Sequence, residues 1–409
     1  MDRLILGIDL SDTSTLLAYY GFEEHFSYPT AICRTNQNNE WKIGEDAYEC
    51  ILSGKGILTD KLFSLLIKEG YTTIYDFKYT AEHLLEEFLK RAIKASASAL
   101  NIASPTDIVI STPTIDKDAS IRILNVLQRL GYNKEHAHII SRSEAYIYYA
   151  MSQAPDLRNN SVGLFSLEDN SLVYYEMKVN KKPKSTTVYA EKELMDESIN
   201  IEILKNDAGA KLADRILLAA AERLLKNKIF SCIILTGKGF EEQDWAPEFM
   251  RFICNRRKVF VDDEVFARGA GFRGADIASE KPLFPFTCIC EGRTEFSIYV
   301  DITQNDRVIS LPILSIGDPW FDAERGIRVI PYNTKTIDFT IVPMDAHQRK
   351  IVRIPLDFLP NRPPKTSIVS IRMIFKTDDV IELTLKDEGF GELFPSTGKS
   401  VTQEVCLWD

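Results

Sequence analysis

The chain has 409 residues, of which 45% are hydrophobic and 26% are charged, and this composition excludes the disordered, collagen-like and disulfide-scaffold classes. Asp and Glu total 59 against 49 Lys and Arg, so the net charge is -10. A negative surface repels polyanions, and we therefore expect neither a nucleic-acid nor a membrane partner.

The first elements predict an antiparallel sheet followed by α/β structure. Residues 4–10 and 15–19 predict a β-hairpin with a polar tip, and residues 28–34 and 41–44 predict a second hairpin around an asparagine-rich turn. Apolar residues at helical spacing then predict an amphipathic helix with Thr80 as its N-cap. The remaining elements of this half are a strand at 107–113, a helix capped by Asp116 and ended by Gly131, a strand at 138–140 and a helix at 143–151.

The second half repeats this order. It begins with another predicted hairpin whose tip is polar, and it continues as α/β structure, so the pattern indicates an internal duplication. Its elements are a hairpin at 161–179, a helix at 208–225, a strand at 232–235, a glycine-rich turn at 236–239 and a helix at about 263–274. After residue 280 the helical period gives way to alternation, which predicts a separate β-sandwich.

The cysteines and histidines do not predict a metal site. Seven cysteines, an odd number, lie mostly within apolar runs, as reduced buried thiols do. Cys288 and Cys290 share one face of a strand without a second ligand pair, and His136 and His138 are likewise isolated, so we expect structural roles. Because no apolar run approaches the roughly 18 residues of a membrane span and no signal peptide is evident, we expect a cytoplasmic protein.

Taken in order, these segments resemble the seventy-kilodalton heat-shock chaperones, whose nucleotide-binding domain has the actin and sugar-kinase fold. GIDLSDT at 7–13 resembles their first phosphate loop, ILTGKG at 234–239 resembles the adenosine motif, and DDEVFARGA at 262–270 resembles PDEAVAxGA. The C-terminal strands and the TGK at 397–399 resemble the chaperones' peptide-binding sandwich. We expect no helical lid after them, and the outer parts of both halves look trimmed.

The resemblance implies an actin-like domain with duplicated ribonuclease H-like α/β lobes at 1–279, followed by an all-β sandwich at 280–409. Lobe I would cover about 1–155 and lobe II about 156–279. The cofactor that the resemblance implies is ATP or ADP with Mg²⁺. The residues implied to bind it are Asp9, Ser11, Asp12, Thr13, Ser171, Gly237, Lys238 and Gly239.

Both phosphate loops depart from the chaperone pattern. Such loops need glycine, because bare backbone N–H groups must approach phosphate oxygens. The first tip reads SDT and the second reads SLEDNS at 166–171, while Tyr48 and Arg142 replace a lysine and a glutamate. Asp12, Glu168 and Asp169 add negative charge, and one carboxylate about 4 Å from a phosphate costs on the order of 4 kcal/mol at an effective dielectric of about 20. A magnesium ion on Glu168 or Asp169, or a cation from Lys238 or Arg268, would offset this charge.

The sequence thus predicts a pseudo-ATPase with no assigned catalytic residue and weak or no ATP hydrolysis. By resemblance, its function is chaperone-like: the sandwich would hold a polypeptide segment or a dedicated protein partner through strand-type hydrogen bonds. Two alternatives stay open. One is an active ATP-dependent chaperone, and the other is an actin-like protein that assembles or acts as a scaffold.

Overall fold

The computed structural model describes residues 3–168, 171–183, 185–304, 307–322, 324–332, 334–344 and 349–407. The chain divides into two compact units, Met1–Glu291 and Gly292–Asp409. Among the described residues, the helices are too short or too polar to cross a bilayer. The seven cysteines are not joined in disulfides; Cys254 and Cys406 are exposed, and the others are buried.

The first lobe of the N-terminal unit is built on a mixed sheet with helices packed around it. Its strands are β1 (Ile5–Leu10), β2 (Ser14–Tyr19), β3 (His25–Pro29), β4 (Ile32–Thr35), β5 (Trp41–Ile43), β6 (Gly56–Thr59), β7 (Tyr71–Ile74), β8 (Phe77–Thr80), β9 (Asp107–Thr112) and β10 (Ala137–Ser141). Its helices are α1 (Glu45–Leu52), α2 (Leu62–Ile67), α3 (Ala81–Ala99), α4 (Lys117–Arg129) and α5 (Arg142–Ser152).

The main sheet of this lobe has the order β10-β9-β1-β2-β3, with β1, β2 and β3 antiparallel and β9 and β10 parallel to β1. Every residue of β1 and β9 is buried, because layers cover both faces of these strands. The predicted helix caps are confirmed: Thr80 accepts a hydrogen bond from His83 N–H, Asp116 accepts one from Ala119 N–H, and Gly131 follows α4 with a φ of 100°.

The second lobe repeats this sheet. Its strands are β11 (Ser161–Glu168), β12 (Ser171–Lys182), β13 (Ser185–Ser198), β14 (Phe230–Thr236), β15 (Lys258–Val261) and β16 (Thr287–Ile289), and its helices are α6 (Asp207–Leu225), α7 (Pro247–Ile253) and α8 (Val265–Ala278). The strand order is β15-β14-β11-β12-β13-β16, in which β11, β12 and β13 are antiparallel and β14 and β15 are parallel to β11.

Apart from β16, the two sheets have the same strand order and the same directions. This duplicated ribonuclease H-like topology confirms the predicted actin-like α/β fold. The equivalent helices α5 and α8 pack closely between the lobes, since a Cβ on Gly269 would lie 1.9 Å from the carbonyl oxygen of Ala145. Only a glycine allows that approach.

The boundary between the two units differs from the prediction. It lies after Glu291 rather than after residue 279, because β16 pairs in parallel with β13 at the edge of the second-lobe sheet. Cys288 lies on β16 and Cys290 directly follows it, and both thiols are buried in the core of that lobe. His136 pairs with Asp107 at 2.8 Å, in keeping with a structural role.

The C-terminal unit has two facing sheets around one core, as expected for a β-sandwich. One sheet has the order β18-β17-β20-β21, and the other has β19-β22-β23-β24, with β25 paired to β23. Inward residues of both sheets form one buried cluster that includes Ile298, Phe339 and Met373. The strands are β17 (Phe296–Gln304), β18 (Arg307–Leu314), β19 (Glu324–Val329), β20 (Thr336–Pro343), β21 (Lys350–Pro355), β22 (Ile368–Phe375), β23 (Val380–Phe390), β24 (Phe394–Pro395) and β25 (Ser400–Cys406).

Candidate functional site

The tips of the two lobe hairpins meet in the N-terminal unit. The hydroxyls of Ser11, which follows β1, and Ser14, the first residue of β2, donate hydrogen bonds to Glu168 Oε1 at 3.3 and 3.1 Å. Glu168 is the last residue of β11. The two loops that the sequence predicts as phosphate binders are therefore in direct contact with each other.

A buried arginine joins both hairpins. Arg142, the first residue of α5, directs its Nε and Nη2 to the two oxygens of Asp9 at 2.9 and 2.7 Å, and its Nη1 lies 2.8 Å from Glu168 Oε2. The Ser111 hydroxyl donates to Asp9 at 2.8 Å, and the guanidinium lies 4.8 Å from the centre of the Phe266 ring. We call Asp9, Arg142 and Glu168 the clasp.

Burial and the neighbouring charges shift the pKa of each clasp residue. Burial raises the pKa of Asp9, and Arg142 offsets only part of this rise. Burial disfavours the charged form of Arg142, but Asp9 and Glu168 outweigh it and raise the Arg142 pKa. Burial likewise raises the pKa of Glu168, while Arg142 and the two serine hydroxyls outweigh it and lower that pKa overall. The clasp therefore holds a charged arginine between two carboxyl groups, and its arginine has no unpaired charge to offer an anion.

Asp12 has a structural role that the sequence analysis did not predict. Its carboxylate accepts a hydrogen bond from the backbone N–H of Ser64 at 2.7 Å and another from the Ser64 hydroxyl. Ser64 lies in the first turn of α2, where N–H groups lack partners within the helix. The negative charge of Asp12 thus stabilises a helix N-terminus.

The other predicted residues of the hairpin tips lie around the clasp. The Thr13 hydroxyl oxygen is buried and has no hydrogen-bond partner among the residues that the structure describes. Ser171 is exposed at the start of β12 and pairs with Glu168 across the hairpin. Asp169, a predicted magnesium ligand, lies outside the described residues. Within the described ranges, no three His, Cys, Asp or Glu side chains are arranged to hold a metal ion.

Gly237 and Gly239 allow the turn that contains them to pack closely against β11. A Cβ on Gly237, whose φ is 92°, would lie 2.6 Å from the Leu167 carbonyl oxygen, and a Cβ on Gly239 would lie 2.3 Å from the Leu167 side chain. The Gly237 N–H donates to Asp263 at 3.0 Å, while Lys238 is exposed. Close packing explains both glycines without a bound phosphate.

Gly237→Ala should lower the free energy of unfolding by about 1–3 kcal/mol. Alanine is strained at the positive φ of this position, and its Cβ would clash with Leu167. Urea denaturation measures this loss. Gly54→Ala is the matched control, since Gly54 also has a positive φ of 67° but has open space around its Cβ position. Equal losses in the two variants would show that contact with Leu167 contributes nothing.

The described residues of the tips do not fit a triphosphate. The first tip offers Asp9 and Ser11, whose side chains are occupied by Arg142 and Glu168. A triphosphate beside the clasp would meet two carboxyl groups and an arginine that already pairs with both. The sequence prediction that these residues bind a nucleotide therefore gains no support from their geometry.

Comparison with sequence families assigns most of the chain. Residues 15–291, more than half of the chain, match the family described as "Family of unknown function (DUF5716) C-terminal". The chain belongs to the DUF5716 family. Residues 293–407 of this DUF5716-family chain match a second model, "Domain of unknown function (DUF8552)". The two matches meet where the structure divides into two units.

No curated protein matches the DUF5716-family chain. Among solved structures, a non-polymerising mutant of MamK bound to AMPPNP is similar at 13% identity with a TM-score of 0.44, covering 67% of this chain and 99% of that one. The fold assignment rests on the strand order of the two lobes. Neither family description names a heat-shock chaperone. Of the resemblance to the heat-shock chaperones, only the actin-like fold is supported.

Proposed function

We propose that this protein is a pseudo-ATPase scaffold, in which an actin-like domain binds a protein partner without a nucleotide cycle. The observation that carries the proposal is the clasp. Asp9, Arg142 and Glu168 tie together the two hairpin tips between which this fold would place a triphosphate. An internal ion-pair network thus takes the position of the nucleotide.

The charge balance of the clasp supports this proposal. Each carboxylate within about 4 Å of a phosphate opposes binding by on the order of 4 kcal/mol at an effective dielectric of about 20. This corresponds to roughly a thousandfold in affinity, at about 1.4 kcal/mol per decade. To release Arg142 for a phosphate, the protein would have to leave Asp9 and Glu168 buried without their cation, which is more costly still.

A chaperone-like function, in which the sandwich binds an extended peptide, is the second candidate. One observation favours it: β18 is an outer strand of its sheet, and its first four residues are exposed, Val308 by 73%. An open strand edge with apolar side chains can accept another strand. If the protein binds a peptide and Val308→Asp abolishes that binding, the chaperone-like function would be favoured over the scaffold function.

Millimolar Mg-ATP should leave the thermal midpoint of the protein unchanged. A ligand at 100 times its Kd adds about 2.7 kcal/mol to the stability of the folded state, which would raise the midpoint by several degrees. Differential scanning fluorimetry measures the shift, with magnesium chloride and sodium chloride at matched ionic strength as the control. A rise with ATP that the salts do not reproduce would overturn the pseudo-ATPase proposal.

A further inference from the structure

The outer edge of the second-lobe sheet is open along β15. β15 is the last strand of its sheet and pairs in parallel with β14. Asp262 N–H, just past the strand, donates to the Leu235 carbonyl at 3.0 Å. Because successive residues of a strand direct their backbone groups to opposite sides, Val259 and Val261 direct their N–H and C=O groups to the open edge.

An acidic pocket lies at the C-terminal end of this edge. Its volume is about 550 Å³, and Asp262, Asp263 and Glu264 are among the residues that line it. Arg268 pairs with Glu264, and His25 Nδ1 lies 2.7 Å from the same carboxylate. Asp262 and Asp263 have no ion pair among the described residues; their oxygens accept hydrogen bonds from Tyr149, Glu264 N–H and Gly237 N–H.

The electrostatics of this pocket favour a cation. Burial raises the pKa of Asp263, and the neighbouring carboxylates of Asp262 and Glu168 raise it further. A positive charge placed between Asp262 and Asp263 would relieve this repulsion. A polyanion would meet three carboxylates there, so nucleic acid and anionic lipid do not fit this pocket.

The other end of β15 has the opposite charge. Arg256 and Arg257 directly precede the strand, and Lys258, which opens it, pairs with Asp156 at 2.6 Å. Asp262, Asp263 and Glu264 follow the strand. Between these ends the exposed side chains are apolar, with Phe260 at 41% and Val261 at 40% exposure. The edge therefore combines backbone groups that have no strand partner among the described residues, an apolar middle and a charge gradient, which together suit an extended polypeptide of complementary charge.

We propose that the β15 edge is the docking site for an extended segment of a partner protein. This segment adds as a strand, places a Lys or Arg side chain in the acidic pocket and directs acidic residues towards Arg256 and Arg257. Backbone hydrogen bonds to Val259 and Val261 supply affinity, and the pocket supplies specificity. The inference rests on the proposed scaffold function and deepens it, because it names where the partner binds.

Two fluorescent peptides test the site on the full chain. Both have an alternating Thr and Val centre; one carries Lys-Lys first and Glu-Glu last, and the other has the reverse order, so that antiparallel and parallel addition are both sampled. Fluorescence anisotropy should show saturable binding of one of them. N-methylation of alternate backbone nitrogens of that peptide should weaken its binding by about tenfold or more, because the methyl groups remove the strand-type hydrogen bonds.

Two variants of the protein locate the binding. Asp263→Asn keeps the acceptor oxygen for the Gly237 N–H but removes one negative charge from the pocket. It should weaken binding of the peptide by about tenfold without affecting a peptide whose lysines are replaced by glutamine. Val261→Pro removes an outward N–H while leaving the hydrogen bonds to β14, and Val261→Thr is its matched control. The proline variant should lose binding and the threonine variant should keep it.

Failure of the docking site is distinguishable from failure of the scaffold proposal. If neither peptide binds, or if binding is unaffected by N-methylation and by the β15 variants, the docking site is overturned. A thermal shift with Mg-ATP in the same samples would instead overturn the scaffold proposal, whether or not a peptide binds. Loss of peptide binding only in Val308→Asp would assign the peptide to β18 and contradict the β15 site.

Discussion

Arg142→Met should lower the free energy of unfolding by about 3–5 kcal/mol, the usual loss when one partner of a buried ion pair is removed. The side chain of Arg142 is only 8% exposed, and Asp9 and Glu168 are similarly buried. Without the guanidinium, two carboxyl groups would remain in a site that water hardly reaches, and the two hairpin tips would repel each other. Urea denaturation followed by circular dichroism measures the loss.

Two controls separate the charge effect from the loss of packing. Adding Asp9→Asn and Glu168→Gln to Arg142→Met removes all three charges and should restore most of the stability, because a neutral replacement of a buried ion network is often harmless. Arg223→Met removes an arginine that pairs with Glu193 at the surface and should cost less than about 1 kcal/mol. A loss of that small size in Arg142→Met would mean that the clasp does not hold the lobes.

The parts of the fold that could be predicted from sequence depend on local signals. The hairpins of β1–β2 and β11–β12 each show alternating apolar residues around a polar tip, and the caps Thr80 and Asp116 act within one helical turn. These signals recur in both lobes in the same order. For this reason the duplication was predictable without knowledge of any long-range contact.

The contacts of the site could not be predicted in this way, because they join distant parts of the chain. Asp9 and Arg142 are 133 residues apart, and Asp12 and Ser64 are 52 residues apart. The sequence nevertheless contained a usable signal: an arginine replaces a glutamate at 142 while an acidic residue occupies a tip at 168. Opposite charges at two positions that the fold brings together indicate a salt bridge as well as a damaged phosphate site.

The misplaced domain boundary has a similar cause. β16 is a strand of three residues that follows the last helix of the N-terminal unit, and a short strand pattern does not specify which sheet the strand joins. The partner of β16 is β13, about 100 residues earlier in the chain. The pairing of β13 with β16, and not the pattern of either strand, keeps residues 280–291 in the N-terminal unit.

The C-terminal unit also contains a buried charged residue, Asp387, as the N-terminal unit contains the clasp. It lies on β23 with a fully buried side chain, and its carboxylate accepts hydrogen bonds from both Nη atoms of Arg362, from the N–H of Gly389 and from the N–H and hydroxyl of Thr397. Burial raises the pKa of this carboxyl, but the hydrogen bonds outweigh it and lower the pKa to about 2. Asp387 therefore joins β23 to the segments that carry Arg362 and Thr397.

Asp387→Ala should lower the free energy of unfolding of the C-terminal unit by about 3–5 kcal/mol at neutral pH. It leaves Arg362 buried without its anion and several hydrogen-bond donors without an acceptor. Amide hydrogen exchange along β22 and β23 of the full chain measures this loss within the unit itself. Asp338→Ala, which removes a half-exposed partner of Arg353, is the control and should cost less than about 1 kcal/mol.

The stability difference between the wild type and Asp387→Ala should depend on pH. The folded pKa of Asp387, about 2, lies below the ordinary value of 3.8, so its stabilising contribution is present above pH 3.8 and is lost as the pH falls towards 2. The difference in exchange between wild type and Asp387→Ala should therefore be constant near neutral pH and should shrink in acid. A difference that stayed constant down to about pH 3 would mean that packing, rather than the charge of Asp387, holds these segments together.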